Sequence, residues 1–202
     1  MKKSLLLGVT ILATATLSFL SYQTTSKSSG APSGVANDPA SGMTTCTDCH
    51  SGTATSVNGW ITSNIPAAGY TPGQTYTITA TATSAGKTIF GFEVSPQNSS
   101  GTLKGSLIIT STSTTKITST KYVTHTSGGT APSATGSGTR SWSFNWVAPA
   151  AGTGAVTFYG AFLGGNNNGS SSGDATYKTS TTFNEASPCT VTATITSSAD
   201  TL

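Results

Sequence analysis

Residues 75–82 read Thr-Tyr-Thr-Ile-Thr-Ala-Thr-Ala, with a threonine at every second position. This period of two is typical of an extended strand that turns one side to a core and the other to water. Similar short runs with β-branched and aromatic residues follow, separated by turn residues. They lie at 89–94, 107–109, 122–126, 142–147 and 155–159. No stretch has a convincing helical period, so the sequence predicts an all-β sandwich or barrel.

Three further segments complete this expectation. Ser95-Pro96 is predicted to end the second run, because proline is disfavoured inside strands. Residues 60–65 are predicted to form one short helix or strand, and residues 164–175 a polar loop.

Low charge excludes several classes of protein. Only 7% of the 202 residues are charged, with nine Lys and Arg against six Asp and Glu, whereas an average soluble domain has about 25%. This excludes a coiled coil or a charged helical bundle, and it supplies no basic stripe for nucleic acid. Three Trp, six Tyr and seven Phe argue against intrinsic disorder. The composition fits an exported, Thr-rich, all-β protein.

The first 21 residues have the pattern of a secretory signal peptide. Lys2 and Lys3 form a basic start, and residues 5–20 are apolar or small. This apolar run is shorter than the roughly 20 residues that span a bilayer, so we expect no membrane span after signal removal. Cleavage would remove two of the nine basic residues and lower the net charge from +3 to +1.

The mature chain is predicted to contain one domain. Residues 22–42 are mostly small or polar and are predicted to form an extended leader. The domain is expected to span 43–188, including the segment with the Cys/His cluster. Residues 189–202 are predicted to form a C-terminal strand or tail, with the strand at 190–195.

One pentapeptide carries recognisable chemistry. Cys46-Thr47-Asp48-Cys49-His50 fits C-x-x-C-H, the attachment pattern of c-type haem. Two thiols at this spacing bind the two vinyl groups, and the adjacent His50 becomes an axial ligand of the iron. The sequence therefore predicts one covalent haem c per chain.

Other interpretations of the pentapeptide remain open. A disulfide between Cys46 and Cys49 would form a short, strained ring that is usually redox-active. A zinc site would want four ligands, and only His125 and Cys189 remain elsewhere in the chain to complete it. A disulfide from Cys189 to one of the pair would leave an odd thiol.

The second axial ligand has three alternatives. His125 is the only other histidine and lies in a strand-like run, so it is a candidate iron ligand in the binding site. A structural strand histidine fits the same pattern equally well, and an open coordination position is the third alternative. Met43 lies only three residues before Cys46, on the side of the attachment peptide, and is poorly placed for the opposite face of the haem.

The chain offers few residues for catalysis. Asp174 and Glu185 are isolated in the sequence, which argues against a paired-carboxylate glycosidase. Neither histidine lies near a recognisable nucleophile elbow. We therefore expect a redox carrier rather than a hydrolase, with no catalytic residues.

The order of several short motifs resembles reeler (reelin N-terminal-like) domains. The matching stretches are Gly30–Gly34, Tyr70–Tyr76, Phe90–Phe92, Val123–Thr126 and Phe144–Pro149. Together with C-x-x-C-H, they are similar to exported bacterial proteins with a choice-of-anchor V domain. The resemblance covers roughly residues 30–185 and implies an immunoglobulin-like β-sandwich outside the cytoplasm. Eukaryotic reeler domains carry a similar histidine without C-x-x-C-H, which implies a structural role for it there.

These expectations combine into two functional hypotheses. The first is an exported single-haem cytochrome-like protein of the periplasm, cell surface or extracellular space, which transfers electrons to a redox partner protein or an extracellular acceptor. The alternative is a non-enzymatic adhesion or carbohydrate-binding module with a disulfide in place of the haem. In either case, Thr-rich strand edges would permit assembly of several copies.

Overall fold

The structure is a computed structural model that describes residues 27–187. The predicted signal peptide, Cys189 and the predicted strand at 190–195 lie outside the described residues.

Within the described range, strands account for most of the regular structure. The ten strands are β1 (Thr55–Ser56), β2 (Ile61–Ser63), β3 (Thr75–Thr83), β4 (Ile89–Gln97), β5 (Ser106–Ile109), β6 (Thr115–Thr118), β7 (Tyr122–His125), β8 (Thr139–Val147), β9 (Val156–Gly165) and β10 (Ala175–Phe183). Three short 3₁₀ turns lie at Pro39–Ser41, Cys46–Asp48 and Ser127–Gly129.

The strands form two sheets. The larger sheet has the order β1-β10-β9-β4-β7-β6, and the smaller one has the order β2-β3-β8-β5. Neighbouring strands are antiparallel except for the short parallel pair of β1 and β10. The predicted all-β sandwich is confirmed.

Threonines alternate with apolar residues along β3, and the apolar residues form one wall of the core. Its Tyr and Ile side chains are buried between the sheets together with two alanines, while the threonines between them face outward. On the outer face, hydroxyls of β3 meet those of β8 across the strands, at 3.2 Å for Thr79 and Ser143 and 2.9 Å for Thr81 and Ser141. Such cross-strand pairs stabilise the sheet without any charge.

Strand β4 is buried on both of its faces after its first residue. One face packs in the core, and the other is covered by chain that precedes the sandwich. In this covering segment, which belongs to the predicted leader, Val35, Ala36 and Asp38 are buried. The cover brings the following Cys/His segment against the same sheet.

Several segments differ from the sequence prediction. Strand β4 does not end at Ser95-Pro96 but continues to Gln97, where it pairs with β9. Proline is tolerated there because the pairing of β4 with β7 involves only Glu93 and Val94. Strand β9 is longer than predicted, and β1, β6 and β10 were not predicted. Strands β6 and β10 are rich in threonine and have few apolar side chains. The uncertain segment at 60–65 contains strand β2.

Candidate functional site

The sequence-predicted site residues lie around one cavity. Cys46, Cys49, His50 and His125 all line a space of about 250 Å³. Much of the remaining wall is apolar and comes from the covering segment and the larger sheet, including Val35, Ile89, Phe90, Phe92 and Leu163. Residues 167–171, from the loop between β9 and β10, also line the cavity.

The C-x-x-C-H pentapeptide is folded into a single tight turn. Thr45 begins the turn, and its hydroxyl accepts the N–H of Thr47 at 3.3 Å. The main-chain N–H groups of Cys49 and His50 both donate to the carbonyl of Cys46, at 3.3 and 3.0 Å. This local folding brings two thiols and one imidazole to the same wall of the cavity.

The two cysteines are free, partly buried thiols in the structure. Burial raises the pKa of Cys46 to about 12, and the negative charge of Glu93 acts in the same direction. At neutral pH this thiol is therefore protonated. Catalytic redox pairs depend on a lowered thiol pKa, so this environment does not favour thiol–disulfide exchange at Cys46.

His50 is held by a carboxylate from a distant part of the chain. Its Nδ1 lies 2.7 Å from Oδ2 of Asp174, and the other oxygen of Asp174 accepts the main-chain N–H of Asn166 at 3.0 Å. Asp174 is isolated along the sequence, and its contact with His50, 124 positions away, arises only in the fold. When Nδ1 carries the proton donated to a carboxylate, Nε2 is the nitrogen that can bind a metal.

His125 ends β7 and is only 6% exposed. Its Nδ1 accepts the main-chain N–H of Phe92 at 3.2 Å. Burial lowers its pKa, which keeps the imidazole neutral, although hydrogen bonds to the main chain of Phe92 and Lys27 act in the opposite direction. The ring thus lines the cavity while also having the main-chain partners of a structural strand histidine. Met43 is 49% exposed and is not part of the cavity wall.

Two buried carboxyl groups behind the pentapeptide were missed by sequence reasoning. Glu93 is fully buried, and its Oε2 accepts the N–H groups of Gly34 and Val35 at 3.0 and 2.6 Å. Its Oε1 has no hydrogen-bond partner, and burial raises its pKa to about 8. The apolar run around Glu93 predicted a strand. An acidic residue inside such a run was the signal that could have indicated a buried carboxyl group.

Asp38 is the second buried carboxyl group, and it has several donors. Ser41 Oγ and Gln97 Nε2 each lie 2.6 Å from one of its oxygens, and the hydroxyl of Tyr122 lies at 3.2 Å. Together Asp38 and Glu93 fasten the covering segment to β4 and β7, and thereby fix the position of the pentapeptide.

Residues 27–187 were considered for a metal-binding cluster and for a membrane-spanning helix, and they contain neither. No group of three or more His, Cys, Asp and Glu side chains in this range could hold a metal ion. No helix in it is long and apolar enough to cross a membrane.

Comparison with known proteins returned only structural similarities. No protein-family model matches the chain, and no curated protein matches it. Among solved structures, the human F-spondin reeler domain (fragment 1) is similar over 65% of this chain and 94% of that one, with 19% identity and a TM-score of 0.47. The Reelin-N domain of F-spondin is similar over 69% of this chain and 94% of that one, with 17% identity and a TM-score of 0.48.

Proposed function

We propose that this chain is an exported carrier of one covalently bound haem c and that it transfers electrons rather than catalysing a reaction. The observation that carries this proposal is the meeting of Cys46, Cys49, His50 and His125 at one cavity. The first three lie on one turn of the chain, whereas His125 lies at the end of strand β7.

The residues present fit a haem c in their chemistry. The cavity supplies two thiols for attachment, an imidazole whose Nδ1 is already bound to a carboxylate, and apolar side chains for a macrocycle. Its volume of about 250 Å³ lies just below the range of about 300–1,000 Å³ for small-molecule pockets. The haem macrocycle would therefore extend beyond this cavity. Its exposed edge would suit electron transfer, which needs part of the haem near the protein surface.

Each side chain has a distinct role in this proposal. Cys46 and Cys49 would each add across one vinyl group, so that a C–S bond forms and the thiol proton passes to the neighbouring carbon. His50 would hold the iron through Nε2. His125 is the candidate second ligand; because its Nδ1 accepts the N–H of Phe92, its Nε2 would have to release its proton to bind the iron. When bound, the haem supplies one reversibly transferred electron.

Docking to a partner would depend little on charge. With the signal peptide removed, the net charge is +1, so long-range steering of a redox partner protein or extracellular acceptor would be weak. We expect the protein to act in the periplasm, at the cell surface or outside the cell.

The test is expression of the full chain in a bacterial host that attaches haem to exported C-x-x-C-H proteins. We expect a Soret band and a mass gain equal to one haem that survives denaturation. Cys46→Ser with Cys49→Ser should abolish the covalent gain, while the exposed Asp48→Asn in the same turn should keep it. A native protein without a Soret band under these conditions would overturn the proposal.

A second candidate uses the same cavity without a haem. Asn167, Asn168 and Ser170 line it beside the apolar residues, so uncharged hydrogen-bonding groups accompany an apolar wall, as in small-molecule and carbohydrate sites. In this candidate the chain is a non-enzymatic adhesion or carbohydrate-binding module, and Cys46 and Cys49 would be joined by a disulfide. An intact mass lower by two hydrogens, with no haem gain, would favour this candidate.

A further inference from the structure

We propose that Asp174 is a positioning residue that holds His50 with its proton on Nδ1, so that Nε2 is free to bind an iron, and that Asp174 would lower the reduction potential of a bound haem. This inference rests on the proposed function for its redox part. The geometric part concerns only the protein and can be measured without haem.

The contact between the two side chains is short and shielded from water. Nδ1 of His50 and Oδ2 of Asp174 lie 2.7 Å apart, and the side chain of Asp174 is 5% exposed. A hydrogen bond to a carboxylate at this distance is stronger than one between neutral groups, and burial keeps water from replacing it. A carboxylate only accepts hydrogen bonds, which places the imidazole proton on Nδ1.

Asp174 is itself held in place by the larger sheet. It directly precedes β10, whose first residue Ala175 pairs with Gly164 of β9. Its second oxygen accepts the N–H of Asn166 at the other end of the same loop. Both ends of the loop therefore fix the carboxylate, which cannot follow His50 if the attachment turn shifts.

The attachment turn has another tie to this loop. The main-chain N–H and the hydroxyl of Ser51 both donate to the carbonyl of Ser171, at 3.4 and 3.3 Å. Among the residues that the structure describes, no Lys or Arg forms an ion pair with Asp174. The ammonium group of Lys87 donates to the carbonyl of the preceding Gly173 rather than to this carboxylate, so the imidazole of His50 is the ion-pair partner of Asp174 in the described residues.

The consequence for a bound iron follows from electrostatics. A carboxylate that accepts the Nδ1 proton makes the imidazole a stronger electron donor, and its negative charge favours the more positive, oxidised iron. Both effects lower the reduction potential. A residue that only anchored a loop would change the stability of the protein and leave the potential unchanged.

The first experiment uses the full chain without haem. Long-range nitrogen–proton NMR correlations should show that His50 carries its proton on Nδ1, whereas Asp174→Ala should increase the form with the proton on Nε2. Finding the proton of His50 on Nε2 in the wild type would overturn the inference. The wild-type spectrum alone shows which nitrogen of His50 carries the proton. The inference can therefore be overturned even if Asp174→Ala does not fold.

The second experiment measures the reduction potential of the haem-bound protein. Asp174→Asn keeps the shape but removes the charge and should shift the potential upward, whereas Asp174→Glu should partly restore it. Asp48→Asn, which removes a carboxylate from the cavity wall without touching His50, is the matched control. A shift for Asp174→Asn no larger than that of the control would overturn the inference.

The two experiments separate this inference from the proposed function. Absence of covalent haem in the wild type overturns the proposed function and, with it, the redox role of Asp174. The NMR result then still supports or overturns the positioning of His50.

Discussion

The imidazole of His125 lies directly against the main chain of Gly91. A Cβ atom built on Gly91 would fall 2.8 Å from Cε1 and 3.3 Å from both ring nitrogens. The absence of a side chain at this position of β4 therefore makes room for the ring at the cavity.

Replacing Gly91 with alanine should displace His125. The ring is buried and bonded to the N–H of Phe92, so it cannot move aside freely. Overpacking of this kind typically costs about 1–3 kcal/mol, which urea unfolding can measure. In the haem-bound protein, Gly91→Ala should also change the Soret and visible bands in the same direction as His125→Ala.

Gly160→Ala provides the control for this prediction. On β9, the added Cβ would meet Cδ1 of Ile61 at 2.8 Å, and its next neighbours are side-chain atoms of Phe162 and Val94 rather than of a histidine. It should lower stability without changing the absorption spectrum. If Gly91→Ala also left the haem spectrum unchanged, His125 would be a structural histidine rather than an iron ligand.

Glu93 should make the protein less stable as the pH rises. Its pKa is raised from 4.5 to about 8 by burial, so between these values the folded state keeps a proton that the unfolded state has lost. The stabilisation is complete below pH 4.5 and is lost as the pH approaches 8, at up to about 1.4 kcal/mol per pH unit. Glu93→Gln, which mimics the neutral acid, should flatten this slope and be the more stable protein at pH 8 in urea titrations.

Glu185→Gln is the control of opposite sign. The carboxylate of Glu185 accepts the N–H groups of Gly154 and Gly152, and these hydrogen bonds lower its pKa. Its contribution is present at neutral pH and is lost as the pH falls through the lowered pKa. A wild-type slope that Glu93→Gln left unaltered would show that Glu93 titrates normally.

Asp38→Ala should loosen the segment that covers β4. The change removes the acceptor of the Tyr122 hydroxyl and one of the two acceptors of Gln97 Nε2, the other being Ser95 Oγ. Hydrogen bonds to a charged group are each worth about 1.5–3 kcal/mol. Relative to the wild type, the substitution should speed hydrogen exchange in residues 30–45 more than in β3. Mass spectrometry can measure this difference. The exposed Asp48→Ala should leave this exchange unchanged, and equal protection in Asp38→Ala and wild type would contradict the prediction.

Trp142→Phe should weaken the turn that follows His125. The buried indole N–H donates to the carbonyl of Gly129 at 2.7 Å, and its loss leaves that carbonyl unpaired at a cost of about 1–3 kcal/mol. We therefore expect lower stability together with a changed NMR signal for His125.

The matching change at the other end of β8 is Trp146→Phe. It removes a similar hydrogen bond, to the carbonyl of Lys104 at 2.8 Å. It should lower stability without moving the His125 signal. Identical His125 spectra for the two variants would show that the turn does not depend on Trp142.

Much of the fold was predictable because the strands with apolar alternation follow local patterns. The inward-facing Ile78 and Phe144 pair across β3 and β8, as a period of two on each strand requires. Strand β10 was less visible, since much of its sequence is Thr and Ser and its position depends on pairing with β9. The continuation of β4 through Pro96 likewise depends on the extent of its neighbours.

The residues of the candidate site were likewise predictable only where their positions depend on local sequence. The spacing within five residues is enough to place Cys46, Cys49 and His50 on one turn, because a short covalent distance leaves the chain few alternatives. The same local reasoning identified His125 as a strand residue but left open which surface it reaches.

Sequence alone therefore determined the strands with apolar alternation and the composition of the attachment turn, both of which depend on neighbours along the chain. Only the tertiary structure decided that Asp174 meets His50, that Glu93 is buried behind Cys46 and that His125 lines the same cavity. The physical reason is that these contacts arise when sheet pairing and the covering segment exclude water between distant residues. The spacing of residues along the chain does not predict such a contact.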